Sequence, residues 1–504
     1  MFLLKYYQYQ ISQDGISYIS IAQKYLNGDF RNAINGYCGP LLSWLLIPFL
    51  YFDLSPLIAI KVISLITGLF TMIGVKLLSY KFEMTERIRN IILFSLIPII
   101  LFFSLLFVTP DLLLLCLLVY YLNIIFSSEY PNRIYKGIFC GIIGALAYLA
   151  KAYAFYFFIV HFLLFNTLHY IRSATGERKG NVLRSFFWGF IIFFIISAAW
   201  VLILSNKYQG ITITTAKKYI YACMNPESPS YPMFYQGFLK PPNETAVSAW
   251  EDPSYLKIKF WNPMQSWNHF KHQIKLILQN IYTIIIIYES FSFLSIMIII
   301  VYILFCIQPF NKVILQGDAF YPLVTIMLYP TGFVLMGTDA RYLWITDILL
   351  ILMGGHILSV LFRNVFFNNV RKKIVLMFLI LSFIAIPIKC LIKGINTGKD
   401  IYNLSKILER HNMRGSNIAS NNNWPQSLYL SYYLNSKYYG IPRKNISDEN
   451  LESELKKNNI DYYLIWDESS CNSIFLHNNY KEVTKKEIPG LKIYSLKERE
   501  NNNQ

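Results

Sequence analysis

Long apolar segments separated by short polar turns dominate this chain. Ten of them approach the roughly 20 residues that a helix needs to cross a bilayer. They lie at about 57–79, 90–108, 111–127, 137–150, 153–170, 185–205, 281–307, 319–337, 342–362 and 374–392. A shorter apolar stretch, 40–52, is predicted to be a re-entrant or interfacial helix. The pattern predicts an all-α polytopic membrane domain and excludes one large soluble core.

From about residue 396 the pattern changes to short strands alternating with helices. Strands are predicted near 418–420, 438–441, 461–466 and 491–496, and helices near 400–413, 424–434 and 448–458. Such alternation is typical of a small α/β domain. We therefore divide the chain into a membrane domain, 1–395, and a C-terminal α/β domain, 396–504.

Composition agrees with a membrane protein. Of the 504 residues, 55% are hydrophobic and 15% are charged, whereas about 25% are charged in soluble domains. The net charge of +17 does not indicate nucleic-acid binding, because the basic residues cluster in short loops between the spans, where they orient helices. The seven cysteines have no paired spacing, which predicts neither a disulfide framework nor a zinc site.

Basic residues in alternate short loops predict which ends of the spans face the cytoplasm. The cytoplasmic set is Lys81, Arg87, Arg89, Arg133, Lys136, Arg172, Arg178, Lys179, Arg184, Lys312, Arg363, Arg371, Lys372 and Lys373. The loops 1–40 and 206–280 and the C-terminal domain then lie outside the plasma membrane. The 206–280 loop is rich in proline, tryptophan and tyrosine, which predicts an ordered lid that lies on the lipid headgroups.

Four charged residues fall at the predicted outer ends of spans or in the first outer loop: Asp14, Asp111, Lys151 and Arg341. Charge at the edge of a bilayer is costly and is often functional. Asp14 is either the N-cap of a short amphipathic helix or a general base at the membrane surface. Asp111 is either an ordinary first-turn acid or a second acid that faces Asp14.

The two basic members also have alternative interpretations. Lys151 lies at the junction of two spans, where it either extends to the interface or binds a lipid phosphate. Arg341 opens a span from outside, where it either binds a phosphate with its planar guanidinium or forms a surface pair with Asp339.

Several other polar residues are candidates for different roles. Glu289, His161, His356 and Asp347 are predicted to form hydrogen bonds inside the helix bundle. His269 and His272 in the outer loop have the spacing of a two-histidine metal site, but such a pair alone is a weak signal of metal binding.

The charged positions also resemble a known family. Asp14…Tyr18…Ala22…Gly28-Asp29 resembles the first outer loop of GT-C membrane glycosyltransferases, in particular protein O-mannosyltransferases and the aminoarabinose transferases of lipid A. Thr109-Pro110-Asp111 is similar to the second acidic position of that family, and Arg341-Tyr342 is similar to its late outer Arg-Tyr. The small-residue helix that ends in Lys151 and the polar C-terminal domain also have counterparts in the family.

The sequence departs from the family at three places. Gly15 stands where members have an acidic pair, and Cys38-Gly39 precede Pro40 where the aminoarabinose branch has charged residues, so the resemblance does not extend to lipid A as acceptor. Members begin with a transmembrane helix before the first acidic residue, whereas thirteen residues precede Asp14 here. The expectation is a longer natural start, a fragment or a dispensable helix, with reduced stability or activity for the chain as it stands.

The resemblance implies an inverting glycosyltransferase that uses a polyprenyl-phosphate-linked sugar and a lipid, glycan or protein acceptor at the outer face of the membrane. It implies Asp14 and Asp111 as catalytic residues, Asp14 as the base and Asp111 orienting the acceptor or the base, and Lys151 and Arg341 as donor phosphate ligands. It also admits a divalent metal ion as cofactor. The alternatives are a lipid-linked sugar flippase, for which no internal repeat is visible, and a membrane scaffold, which leaves the charges unexplained.

Overall fold

The structure is a computed structural model, which describes residues 3–227, 231–307, 320–364, 366–466, 476, 478–484 and 487–496. Helices form most of the part of the chain before residue 396. Their bounds are Leu4–Tyr7, Gln13–Leu26, Phe30–Ala33, Pro40–Tyr51, Pro56–Ser79, Glu86–Leu106, Asp111–Ile125, Ile134–Ala150, Tyr153–Arg172, Gly176–Tyr208, Ala216–Ala222, Met233–Gln236, Trp267–Phe291, Ser295–Ile307, Tyr321–Leu328, Thr331–Met336, Trp344–Leu361 and Asn369–Gly394.

Helices that can cross a bilayer confirm the predicted membrane domain. Within the described ranges, seven helices are long and apolar enough to do so. Pro40–Tyr51, Asp111–Ile125 and Ile134–Ala150 are apolar but shorter. The chain is therefore an integral membrane protein. Lys312, one of the residues used to predict orientation, lies outside the described residues.

Two of the predicted spans are interrupted. The predicted span 281–307 is two helices, Trp267–Phe291 and Ser295–Ile307. The chain is extended at Ser292 (φ −153°, ψ 128°), whose hydroxyl hydrogen-bonds to that of Ser382 at 2.8 Å on another helix. The first helix begins so early that 267–280 of the predicted outer loop are helical. The predicted span 319–337 is likewise divided near Pro330, which has no N–H to donate to a continuous helix.

The prediction for Glu289 is wrong. The side chain is exposed on the helix Trp267–Phe291 and does not lie inside the bundle. The buried stripe of this helix comprises Ile284, Tyr288 and Phe291, whose spacing of four and three residues puts them on one face. Glu289 lies off that face.

The other three polar residues of that prediction, His161, Asp347 and His356, are buried inside the bundle. His161 is fully buried and hydrogen-bonds to the Tyr121 hydroxyl at 2.8 Å and the Thr325 hydroxyl at 3.0 Å. Asp347 and His356 are each only 2% exposed. Within the described part of the chain, Oδ1 of Asp347 and both ring nitrogens of His356 have no hydrogen-bond partner, so the hydrogen bonds predicted for them are not seen.

The C-terminal region folds as the predicted small α/β domain. Its helices are Lys399–Glu409, Trp424–Tyr433 and Asp448–Lys457. Its strands, in spatial order, are Lys437–Tyr438, Asn417–Ser420, Tyr462–Ile465, Lys492–Ser495 and Lys481–Glu482. The first three are parallel and the last two run antiparallel to their neighbours. The sequence pattern did not predict the short strand Lys481–Glu482.

One continuous hydrophobic cluster joins the α/β domain to the membrane domain. It contains Ile19 of the helix Gln13–Leu26, Leu46 of Pro40–Tyr51 and Ile60 of Pro56–Ser79. Leu430 and Leu464 of the C-terminal domain belong to the same cluster. All five side chains are 1% exposed or less. The α/β domain is therefore packed firmly against the helix that carries Asp14.

Candidate active site

The helix Gln13–Leu26 places Asp14 with its carboxylate available to distant partners. Its N-cap is Ser12, whose hydroxyl accepts a hydrogen bond from the Gly15 N–H at 3.1 Å. Asp14 is therefore not the N-cap, and its side chain is not used to cap the helix. A Cβ atom at Gly15 would lie 2.6 Å from Cγ1 of Val108, so the glycine lets this helix approach the turn that precedes Asp111.

Asp111 and Lys151 form a buried ion pair. Asp111 is the first residue of the helix Asp111–Ile125 and is 3% exposed. Lys151 lies at the junction of Ile134–Ala150 and Tyr153–Arg172, and its ammonium donates a hydrogen bond to Oδ1 of Asp111. The same ammonium lies 3.5 Å from the centre of the Tyr342 ring, a cation–π contact that holds it in place.

Arg341 connects this pair to Asp14. It lies in the 3₁₀ turn Ala340–Leu343, and its Nη1 donates a 2.6 Å hydrogen bond to Oδ2 of Asp14. The same nitrogen is 3.7 Å from Oδ2 of Asp111, and Nε is 3.6 Å from Oδ2 of Asp339. Arg341 thus pairs with Asp339, which was one alternative in the sequence analysis, and also with Asp14 and Asp111.

All four sequence-predicted residues therefore meet in one group, which we call the charge cluster: Asp14, Asp111, Lys151 and Arg341. Two carboxylates and two cations neutralise each other within it. Burial lowers the pKa of the Lys151 ammonium, and the nearby Asp111 carboxylate opposes that shift. The charge cluster is partly accessible to solvent, since the side chains of Asp14 and Arg341 are 23% and 18% exposed.

Trp250 is a site residue that the sequence analysis did not single out. Its indole N–H donates a 3.0 Å hydrogen bond to Oδ1 of Asp14, so each carboxylate oxygen of Asp14 has one donor. The Trp250 ring also packs against Tyr231 and Trp424, with ring centres 5.2 Å and 6.2 Å apart. The only signal in the sequence was the high aromatic content of the predicted outer loop.

The residues that follow Trp250 fix the outer loop to the membrane domain. Glu251 is 2% exposed and forms an ion pair with Lys24 near the end of the helix Gln13–Leu26. Oδ2 of Asp252 accepts a 2.8 Å hydrogen bond from the Tyr208 hydroxyl. The Trp250 indole is therefore held at the charge cluster by the contacts of the two residues that follow it.

The described residues do not fit a metal site at this position. Among them there is no group of three or more histidine, cysteine, aspartate or glutamate side chains that could hold a metal ion. The cluster supplies two carboxylates, and Lys151 and Arg341 already neutralise them. His269 and His272 of the outer loop instead contact the backbone carbonyls of Asn262 and Met224.

Two solved structures have a similar arrangement of helices. The first is the oligosaccharyltransferase of Archaeoglobus fulgidus in complex with zinc and sulfate, with a TM-score of 0.50 at 12% identity. This match covers 90% of the present chain but 64% of the archaeal protein, so the chain spans less than two thirds of its length. The second is ArnT from Cupriavidus metallidurans bound to undecaprenyl phosphate, with a TM-score of 0.49 at 12% identity, covering 98% and 95% of the two chains.

No protein-family model matches the sequence, and no curated protein matches it. At 12% identity a structural likeness establishes the fold alone. The archaeal enzyme was also crystallised with a tethered acceptor peptide, and that structure has the same TM-score of 0.50. The chain thus has the fold of the GT-C membrane glycosyltransferases, as the sequence resemblance implied.

Proposed function

We propose that this protein is an inverting membrane glycosyltransferase that moves a sugar from a polyprenyl-phosphate donor to an acceptor hydroxyl at the outer face of the plasma membrane. The observation that carries the proposal is the charge cluster itself. It unites the partly exposed carboxylate of Asp14 with two cations, Lys151 and Arg341, from separate parts of the membrane domain. A structural scaffold has no need of such a costly arrangement.

The donor fits the position of the cluster. Its lipid tail would remain in the bilayer, while its phosphate reaches Lys151 and Arg341 at the ends of apolar helices. Arg341 offers a planar fork of donors and Lys151 offers a compact positive charge, and both groups bind phosphate well. Negative charge grows on the phosphate as it leaves, and these fixed cations would stabilise that charge.

Donor binding would also release the base. In the structure, Arg341 donates to Oδ2 of Asp14. A phosphate competes for the same guanidinium, which is 18% exposed. As Arg341 turns toward the phosphate, Asp14 keeps only the hydrogen bond from Trp250, and one of its oxygens becomes free to accept a proton.

The transfer step would use the same groups. Asp14 accepts the proton of the acceptor hydroxyl while that oxygen forms a bond to the anomeric carbon. The bond from the anomeric carbon to the phosphate oxygen breaks, and its electron pair leaves with the polyprenyl phosphate. Asp111 acts by orienting Lys151, to which it is ion-paired. Attack opposite the leaving group inverts the anomeric centre.

The outer loop supports transfer to an acceptor and not to water. Trp250 contacts Asp14 directly and belongs to a segment fixed by Glu251 and Asp252. A closed loop that carries an indole over the base would exclude bulk water from the reacting centre.

The proposal is tested with membranes that contain the wild-type protein and a panel of radiolabelled polyprenyl-phosphate sugars, alongside membranes with Asp14→Asn. We expect one class of donor to transfer label to a larger product in the wild type, and the variant to form none. Absence of transfer from every donor, with the donor instead moved across the bilayer, would contradict the proposal and support a flippase.

A further inference from the structure

A second concave site lies between the membrane domain and the α/β domain. It is a cleft of about 850 Å³, which we call the interdomain cleft. Its walls are the end of the helix Gln13–Leu26, the turn at 53–56, the outer-loop segment 244–247 and the α/β residues around 432–437. The volume lies within the range of about 300 to 1,000 Å³ that is usual for ligand sites.

Two helices extend from the charge cluster to this cleft. Asp14 is in the first turn of Gln13–Leu26, whereas Asn27 at its end lines the cleft. At 1.5 Å per residue the separation along the helix is roughly 20 Å. The helix Trp424–Tyr433 follows the same course, because Trp424 packs on Trp250 beside Asp14 and Tyr433 lines the cleft. The cleft and the charge cluster thus lie at opposite ends of the same two helices.

The cleft presents unused amide groups from both domains. Gln23 and Asn27 come from the first helix and Asn435 comes from the α/β domain. All three residues are exposed, and within the described part of the chain no protein group hydrogen-bonds to their side-chain amides. Each amide supplies both donors and an acceptor, which is the pattern that a sugar hydroxyl requires.

The lysines that line the cleft are neutralised. Lys24 is ion-paired with Glu251, and Lys437 is ion-paired with Glu244. Asp29 and Asp53 also line the cleft, and within the described part of the chain neither has a basic partner. The cleft therefore disfavours a phosphate or other anionic ligand, and its amides and hydroxyls remain for a polar ligand.

We propose that the interdomain cleft binds an uncharged oligosaccharide, and that this glycan is the acceptor whose terminal hydroxyl reaches Asp14. The half-buried rings of Tyr432 and Tyr433 add flat apolar surface beside the amides, a combination that suits the mixed faces of sugar rings. The acceptor role rests on the proposed glycosyltransferase function, whereas the binding of the glycan does not.

The same glycan chemistry can come from two sources. Tyr51 and Phe52 lie immediately before the turn that lines the cleft and are 69% and 79% exposed. Exposed aromatic side chains next to an apolar helix are typical of a membrane interface. The glycan is thus either attached to a lipid in that interface or free of the membrane, and the experiment separates the two.

Binding is measured by calorimetry on the full-length protein in detergent with neutral oligosaccharides of glucose, mannose and N-acetylglucosamine, six sugars long. The test variant is Gln23→Ala/Asn435→Gly, which removes one amide from each wall. Glycine suits position 435, where φ is 49°. The control is Asn445→Gly, an exposed asparagine with φ 57° that does not line the cleft.

We expect at least one oligosaccharide to bind the wild type and the control equally, and to bind the double variant at least tenfold more weakly, since two hydrogen bonds are lost. Asp14→Asn should bind it as the wild type does. Failure of every oligosaccharide to bind, or equal binding by the double variant, would overturn the inference. A second set with each sugar chain attached to a lipid shows the source, since tighter binding of the lipid form places the ligand at the membrane.

A transfer assay separates failure of this inference from failure of the proposed function. With a glycan acceptor, the double variant should raise the acceptor KM at least tenfold and leave the KM for the donor unchanged. If the protein binds an oligosaccharide but transfers sugar from no donor, the glycosyltransferase proposal is contradicted and the glycan site still stands. If it transfers sugar but binds no oligosaccharide, the glycan site is contradicted and the glycosyltransferase proposal still stands.

Discussion

Nη1 of Arg341 lies 2.6 Å from Oδ2 of Asp14, although 327 residues separate them in the chain. This contact connects the first outer segment of the membrane domain to the turn before one of its last helices. It also means that the proposed base is paired with the proposed phosphate ligand. In the proposed mechanism, this ion pair would couple donor recognition to activation of the acceptor.

The Asp14–Arg341 pair should stabilise the fold as well as the site. Arg341→Gln leaves Asp14 and Asp111 with one cation fewer in a largely buried position, so we expect a lower free energy of unfolding. In a double-mutant cycle with Asp14→Asn, the two losses should be non-additive by about 1 to 3 kcal/mol. Thermal unfolding of the purified variants in detergent measures this. Additive losses would show that the pair does not interact in solution.

Lys151 should give the reaction an alkaline limit. Its pKa is lowered by burial, so it loses its proton at a lower pH than an exposed lysine does. Since only the protonated form attracts phosphate, kcat/KM for the donor should fall as the pH rises through that pKa. The pH dependence of transfer measures the effect.

The matched variant for this prediction is Lys151→Arg, since arginine remains charged over the whole accessible range. We expect its kcat/KM to be reduced at neutral pH, because guanidinium does not match the geometry of the ammonium beside Asp111 and Tyr342. The fall in its kcat/KM at alkaline pH should disappear or occur at a higher pH than in the wild type. If kcat/KM still falls at the same pH as in the wild type, a group other than Lys151 causes the fall.

Trp250 should affect turnover more than donor binding. Trp250→Phe retains a ring near Tyr231 and Trp424 but removes the N–H that bonds to Asp14. The N–H fixes the orientation of the Asp14 carboxylate, and a misplaced base reacts more slowly, so kcat should fall roughly tenfold to a hundredfold with little change in donor KM. Trp267→Phe, whose ring is 66% exposed, is the control and should retain full kcat.

Chelation should leave transfer nearly unchanged. The positions beside Asp14 and Asp111 that a divalent cation would take are held by Arg341 and Lys151. We expect wild-type transfer to change less than about twofold after treatment with EDTA, since side-chain cations supply the electrostatic stabilisation. A large loss that added zinc, magnesium or manganese restores would show that the carboxylates exchange their partners for a metal.

Much of the charge cluster could be anticipated because local sequence controls it. Hydropathy and the distribution of lysine and arginine decide where spans end and which side each end faces, and that was sufficient to put Asp14, Asp111, Lys151 and Arg341 on one side. Their hydrogen bonds could not be predicted this way. For example, Ser12 caps the helix, while the Asp14 carboxylate bonds to Arg341 and Trp250. Both of these partners of Asp14 are remote in sequence.

Other features depend on contacts that no local pattern encodes. The break at 292–294 lies where Ser290, Ser292 and Ser295 interrupt the apolar segment, and it is fixed by Ser382 from a different helix. Trp250 is one aromatic residue among many in its loop, and it is placed by the buried pair of Lys24 and Glu251. Tertiary packing overrides local preference at both positions.

The central claim is that Asp14 is the base, and it is tested most directly by measuring donor affinity and kcat together for purified Asp14→Asn. Asp400→Asn is the control, because Asp400 is also a first-turn aspartate but is exposed in the C-terminal domain. We predict that Asp14→Asn binds the polyprenyl-phosphate sugar at least as well as the wild type, while its kcat falls by roughly 10² to 10⁴, and that the control matches the wild type. A variant that still transfers sugar within a few-fold of the wild-type rate would contradict the account.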